Sequence, residues 1–260
     1  MTSEQLHITI VQADIAWENK AANLARYEEY LQGITGKKEV IVLPEMFSTG
    51  FSMDTAGQAE TMDGPTVQWM LSMAQTHRAI ITGSLIIEED GKYYNRLLWV
   101  RPDGQIGSYN KRHLFGYAGE DQYYSAGDKR LIVSVNGWRI CLLVCYDLRF
   151  PVWSRNTGNA YDVLLYVANW PERRSLAWKT LLQARAIENM SYTVGVNRVG
   201  TDGKSIVYSG DSSVFGPLGE TIWKGQEPGC HTVILEKSQL EQAREQFPFI
   251  NDADKFMLLD

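Results

Sequence analysis

Cys145 carries the chain's clearest chemical potential. Residues 138–153 read Trp-Arg-Ile-Cys-Leu-Leu-Val-Cys-Tyr-Asp-Leu-Arg-Phe-Pro-Val-Trp. Ile140 to Val144 is an unbroken apolar run, which predicts a strand buried on both faces. Cys145 ends the run, and Tyr146-Asp147-Leu148-Arg149 makes a polar turn. Pro151 suits the first turn of a helix, where its missing N–H is not needed. A thiol at this junction is exposed at a sheet end, and it stands near the positive end of a helix dipole, which favours the thiolate. The competing reading is a buried apolar cysteine, as most free cysteines are.

A cysteine nucleophile needs a base, most often His. Of the four histidines, His7 falls within a first strand, His77 ends a helix and His231 lies near the C-terminus; only His113 falls in a loop. The alternative base is a carboxylate whose pKa is raised by partial burial. Val40-Ile-Val-Leu43 reads as a buried strand that stops at Pro44, and Glu45 follows at once. Chemistry in α/β proteins gathers at such strand ends, although a helix cap or a solvated loop charge is the bland alternative. Lys111 also follows a strand end directly. An ammonium there would lower the thiol pKa and stabilise an oxyanion, together with the backbone N–H of Tyr146. Glu45, Lys111 and Cys145 thus share one trait: each sits just past a strand.

Other motifs fail on context. Gly203-Lys204-Ser205 looks like the end of a phosphate-binding loop, but Arg198 stands where the first glycine is needed, and Ile-Val-Tyr follows in place of a helix. Gly210-Asp211-Ser212 has no ordered His and Asp to complete a serine triad. Cys141 and Cys145, four apart on a strand with no nearby His, make poor zinc geometry, so Cys141 reads as core.

The elements that must position the three residues follow from periodicity. Leu6–Gln12, Val40–Leu43, 79–87, 93–100, 105–109, 131–135, 138–144, 162–168, 192–197 and 231–235 read as strands, with shorter ones near 205–208, 213–215 and 220–223. Helices are expected over 17–33, 64–75, from Pro151, 173–189 and 238–246. The dipeptide Asn136-Gly137 marks a hairpin. The long loop Gly116–Gly127 is expected to form an active-site wall. Two halves each run strand, helix, strand, helix, then paired strands, which argues for two sheets with helices outside. With no low-complexity linker, residues 1–260 read as one domain.

Composition narrows the function classes. The 260 residues are 44% hydrophobic and 22% charged, as in an ordinary globular protein. The net charge of −6 and the lack of a basic run argue against nucleic-acid or anionic-membrane partners. Three cysteines make no disulfide framework and fit a reducing cytoplasm. No signal peptide and no membrane span are expected.

Three segments in order resemble the nitrilase superfamily of carbon–nitrogen hydrolases. They are Leu43-Pro-Glu-Met-Phe47, Tyr109-Asn-Lys-Arg-His-Leu-Phe115 and Cys145-Tyr-Asp-Leu-Arg-Phe-Pro151; 184–189 and 197–200 match more weakly. The resemblance spans roughly residues 4–250. It implies a four-layer α-β-β-α sandwich of two mixed sheets, with Cys145 as nucleophile, Glu45 as general base and Lys111 as oxyanion stabiliser. It implies a second glutamate after the lysine, matched by Glu120, with Asp121 as the neighbouring alternative. It implies no metal and no organic cofactor. A homodimer or larger assembly is expected, with the tail from about 247 to 260 able to cross to a partner subunit.

Within the superfamily the chain resembles the bacterial ω-amidases, which deaminate 2-oxoglutaramate and 2-oxosuccinamate. A carbamoyl-amino-acid hydrolase, an aliphatic amidase and an inactive scaffold are the alternatives. Such a substrate carries a carboxylate, for which Arg149, and Arg173 with Arg174, are candidate partners. The competing role for Arg149 is a local ion pair with Asp147 or Glu188. Trp170, Phe51 and Tyr117 are expected pocket walls.

Overall fold

A computed structural model describes residues 3–258. The first half of the chain runs β1 (Gln5–Gln12), α1 (Lys20–Gln32), β2 (Val40–Val42), α2 (Thr55–Gln58), α3 (Pro65–His77), β3 (Ile80–Glu89), β4 (Lys92–Val100), β5 (Ile106–Asn110) and α4 (Glu120–Tyr123). The second half runs β6 (Leu131–Val135), β7 (Trp138–Val144), α5 (Pro151–Ser154), β8 (Val163–Ala168), α6 (Ser175–Asn189), β9 (Tyr192–Asn197) and β10 (Val199–Thr201). It continues through β11 (Val207–Ser209), β12 (Ser212–Phe215), β13 (Thr221–Gly225), β14 (Gly229–Glu236) and α7 (Lys237–Gln246).

The strands form two six-stranded mixed sheets, ordered β14-β1-β2-β3-β4-β5 and β13-β12-β9-β8-β7-β6, with β10 and β11 as a separate hairpin. Each sheet has a parallel centre, β1-β2-β3 or β7-β8-β9, flanked by antiparallel strands. Side-chain alternation assigns the faces. Val40 and Val42 of β2, with Leu97 and Trp99 of β4, point to the second sheet; Ile41, Leu98 and Val100 point outward to α1 and α3. On the far side Trp178, Leu182 and Ala186 of α6 cover the second sheet. The result is the expected α-β-β-α sandwich.

Most boundaries fall within two residues of expectation. The helix from Pro151 is a single turn, because α5 ends at Ser154. β10 was not anticipated; its three residues carry too little alternation to register as a strand. Asn23, Tyr27 and Leu31 form the buried stripe of α1. Asn23 is buried because its amide bonds Ala16 on both backbone groups and the Ser48 carbonyl. In the tail, Phe256, Met257 and Leu258 share a surface cavity with Val152, Trp153 and Arg155, and residues 259–260 lie outside the described ones. Among the described residues no helix is long and apolar enough to cross a membrane.

Candidate active site

Glu45, Lys111 and Cys145 meet at one end of the sandwich, just past the ends of β2 and β5 in one sheet and β7 in the other. Glu45 and Lys111 are fully buried, and Cys145 is half-buried. The Lys111 Nζ donates to Glu45 Oε1 at 2.9 Å and to both oxygens of Glu120, at 3.0 and 2.8 Å. Glu120 therefore joins the site. It opens α4 at 0% exposure and also accepts the Phe115 N–H at 2.6 Å, while Asp121 beside it is exposed. The Glu45 Oε2 accepts the Asn169 N–H at 2.8 Å, and the Asn169 amide donates to the Glu45 carbonyl at 2.6 Å. Asn95 donates to both glutamates, at 2.8 and 3.1 Å.

Cys145 has φ +43°, the left-handed region that a non-glycine residue occupies at a cost of about 1–2 kcal/mol. It opens a 3-10 turn, Cys145–Arg149. Asp147 clamps that turn. Its buried carboxylate accepts the Val144 N–H at 3.0 Å, the Tyr109 hydroxyl at 2.7 Å and the His113 N–H at 3.1 Å, and its Oδ1 lies 2.8 Å from His113 Nδ1. One side chain thus joins the turn behind the thiol to the loop behind Lys111. The Arg185 guanidinium of α6 adds a bond to the Leu148 carbonyl at 2.6 Å. His113, stacked on Phe150 with centroids 3.8 Å apart, is part of this scaffold.

The electrostatics overturn one expectation. Burial pushes the Cys145 thiol well above its ordinary range, the Glu45 charge adds to that, and Lys111 opposes both only in part. Lys111 cannot favour the thiolate strongly because its charge is already shared between two carboxylates. The one-turn α5 adds little dipole. Burial would lower Lys111, but Glu120 and Glu45 outweigh it and hold the ammonium firmly charged. Glu120 is raised by burial despite its bonds to Lys111. The resting site is a neutral thiol against a carboxylate, with a fixed ammonium beside both.

A cavity of about 270 Å³ opens over Cys145. Phe51, Phe115, Tyr117, Trp170 and Tyr208 give it aromatic walls, and Arg149, Arg173, Arg174 and Lys204 give it positive charge; no lining residue is acidic. Tyr146 also lines it. Arg149 does not pair with Asp147 or Glu188. Asp147 is committed to its clamp and Glu188 to Arg185, so the Arg149 guanidinium lies over the Trp170 ring, 5.0 Å from its centroid. Arg173 is exposed at the rim. Arg174 is half-buried, packs 5.0 Å from the Phe115 ring centroid and lines the same cavity as Cys145. Burial lowers its pKa, and it has no carboxylate partner among the described residues.

A model of the carbon–nitrogen hydrolase family matches residues 7–245. The chain belongs to that family. Among the curated proteins of this kind, the omega-amidase YafV of Escherichia coli K12 is 49% identical over 97% of this chain and 98% of its own length. The 2-oxoglutaramate amidase of Bacillus subtilis strain 168 is 31% identical over 95% and 97%. A solved carbon–nitrogen hydrolase superfamily protein, XC1258 of Xanthomonas campestris, has a TM-score of 0.96 and 42% identity over 98% of this chain and 100% of its own. It is described with an arsenic adduct in its active site.

Two site residues had different visibility in the sequence. Asn169 obeys the strand-end rule that picked out Glu45, Lys111 and Cys145, since it follows β8 directly. Asn95 lies inside β4 with no local signal, and its role appears only once the glutamates are seen on either side of it.

Proposed function

We propose that the protein is a cysteine-dependent ω-amidase that hydrolyses the terminal amide of 2-oxoglutaramate and 2-oxosuccinamate to the acid and ammonia. The single observation that carries this reading is the pairing of a Glu-Lys-Cys cluster with a small cavity whose charged walls are all cationic. That charge suits an amide whose far end is a carboxylate.

In this mechanism Glu45 takes the thiol proton as sulfur attacks the amide carbon, because the thiol is protonated at rest. The negative charge moves from Glu45 to the new oxyanion. Glu45, now neutral, loosens its hold on Lys111, whose ammonium turns toward the oxyanion beside the Tyr146 N–H. Glu120 keeps the ammonium in place throughout. Glu45 returns its proton to the leaving nitrogen, and ammonia departs from the thioester. Water then gives a proton to Glu45 and attacks the thioester, which releases the acid and restores the thiol.

Arg174 is the residue we assign to the substrate carboxylate, with Arg149 and Arg173 outside it. A half-buried guanidinium without an internal partner gives a directed fork that an exposed one does not. Trp170 and Tyr146 line the channel between. We also propose a cytoplasmic location, consistent with three free cysteines, and a homodimer or larger assembly, to be read from light scattering of the eluting species.

The test is ammonia release from 2-oxoglutaramate, 2-oxosuccinamate, a carbamoyl amino acid and a simple aliphatic amide, with wild type and Cys145→Ala. Release from the two oxo-amides alone, abolished in Cys145→Ala, is the expected result. Preference for the carbamoyl compound or the aliphatic amide reassigns the substrate. Turnover that survives Cys145→Ala overturns the mechanism.

A further inference from the structure

Gly203-Lys204-Ser205, the fragment that fails as a phosphate loop, lies at the tip of the β10–β11 hairpin, and Lys204 lines the same cavity as Cys145. Asp202 builds that tip. Its Oδ1 accepts the backbone N–H of Lys204 at 2.8 Å and of Ile206 at 2.9 Å, and its Oδ2 accepts the Tyr208 hydroxyl at 3.0 Å. Tyr208 is itself a cavity wall, with the buried Arg198 guanidinium 4.6 Å from its ring centroid.

The hairpin is docked rather than hung. A Cβ on Gly203 would come within 2.4 Å of the Trp17 ring, and one on Gly200, at φ +88°, would meet the Asp14 carboxylate at 2.1 Å. The glycine backbone therefore lies directly against Trp17 and Asp14, where no side chain would fit between. Lys204 projects from this docked base. Its side chain is exposed, 5.9 Å from the Trp17 centroid, and has no carboxylate partner among the described residues. The nearest acid in sequence, Asp202, is committed to the turn. Glu172 shares the outer rim with Lys204 and Arg173 but pairs with neither.

We propose that the β10–β11 hairpin is the charge-selecting rim of the cavity, and that Lys204 captures the anionic end of the substrate before Arg174 orients it. The inference rests on the ω-amidase reading for the identity of the substrate, but not for the attraction itself. An exposed ammonium acts through long-range attraction, which salt screens, so it raises capture without altering the chemical step.

The experiment compares two alkylating reagents of similar size and different charge, iodoacetate and iodoacetamide, at Cys145. The ratio of their rate constants is measured in wild type, Lys204→Arg, Lys204→Ala and Lys204→Glu. At low salt the iodoacetate/iodoacetamide ratio falls about fivefold in Lys204→Glu, the size expected for an exposed charge. It falls less in Lys204→Ala and is retained in Lys204→Arg. The difference closes in about 1 M salt, where screening acts over roughly 3 Å. With 2-oxoglutaramate, kcat/KM falls in step while kcat holds. An unchanged ratio in Lys204→Glu, or equal slowing of both reagents, overturns the proposal. A ratio that falls as expected in a protein inactive on 2-oxoglutaramate supports anion capture by Lys204 and refutes the ω-amidase reading instead.

Discussion

Cys145, Glu45 and Lys111 form one electrostatic unit, and its behaviour follows from which charge is removed. The Glu45 charge raises the thiol, so Glu45→Gln lowers the thiol pKa while deleting the base. Amide turnover is expected to fall by roughly 10²–10⁴-fold. Alkylation of Cys145 by iodoacetamide at neutral pH is expected to become faster, because a larger share of the thiol is ionised. Parallel loss of both rates would show that Glu45 acts on the thiol as base alone. Arg174 admits a similar separation. Arg174→Ala should raise KM for 2-oxoglutaramate by about 10- to 100-fold, the loss expected for a charge-assisted bond. Arg174→Lys should recover only part of it, since an ammonium lacks the planar fork. Steady-state kinetics on the three proteins decide the point.

At the scale of elements, the site depends on a turn and a loop that share a fastener. The Cys145–Arg149 turn and the loop after β5 come from different sheets, and Asp147 bonds groups from both. Asp147→Asn turns an amide N–H toward donors that need an acceptor. Stability should drop by about 2 kcal/mol, the cost of a buried charged hydrogen bond, as read from urea unfolding. Because the left-handed Cys145 is held in place by that clamp, kcat should fall more than KM rises. An unchanged kcat in a folded Asp147→Asn protein would assign the Cys145 geometry to other contacts. The Arg185 bond to Leu148 is the first alternative.

At the scale of the molecule, Asp162 ties the second sheet to the C-terminal helix α7. Its buried carboxylate bonds Arg139 at the start of β7 and both Lys237 and Arg244 of α7. Burial would raise its pKa, but the bonds from Arg139 and Lys237 bring it from 3.8 down to about 2. A carboxyl lower in the folded than in the unfolded chain contributes stability that is fully present above the unfolded value. That contribution is lost as pH falls through the folded one. It amounts to about 2 kcal/mol. Asp162→Asn is therefore expected to unfold at lower urea concentration at neutral pH. The gap to wild type should narrow as pH drops from 4 toward 2. A gap independent of pH would mean that packing around α7, not the charge, sets the difference.

The sequence by itself determined the strand ends and what stood on them. Apolar runs ending at Leu43 and Val144 placed Glu45 and Cys145 just past their tips, because a strand buried on both faces is apolar along its length and leaves chemistry to its end. Lys111 follows a mostly polar hairpin strand, β5, and was placed by that strand's end alone. Alternation likewise fixed the two-sheet sandwich. Tertiary structure decided what no local pattern encodes. Asn95 bridges two glutamates that lie 50 and 25 residues away from it. Asp147 turned from a supposed partner of Arg149 into the clamp of the turn. The thiol's protonation state also reversed, since it depends on the sum of burial and three charges brought together only by folding. Lys204 shows the same limit: a failed motif in one dimension becomes a pocket wall once Gly200 and Gly203 let its hairpin dock. Periodicity reports how each segment meets the core, whereas distances between strand ends are set by which sheets pack together.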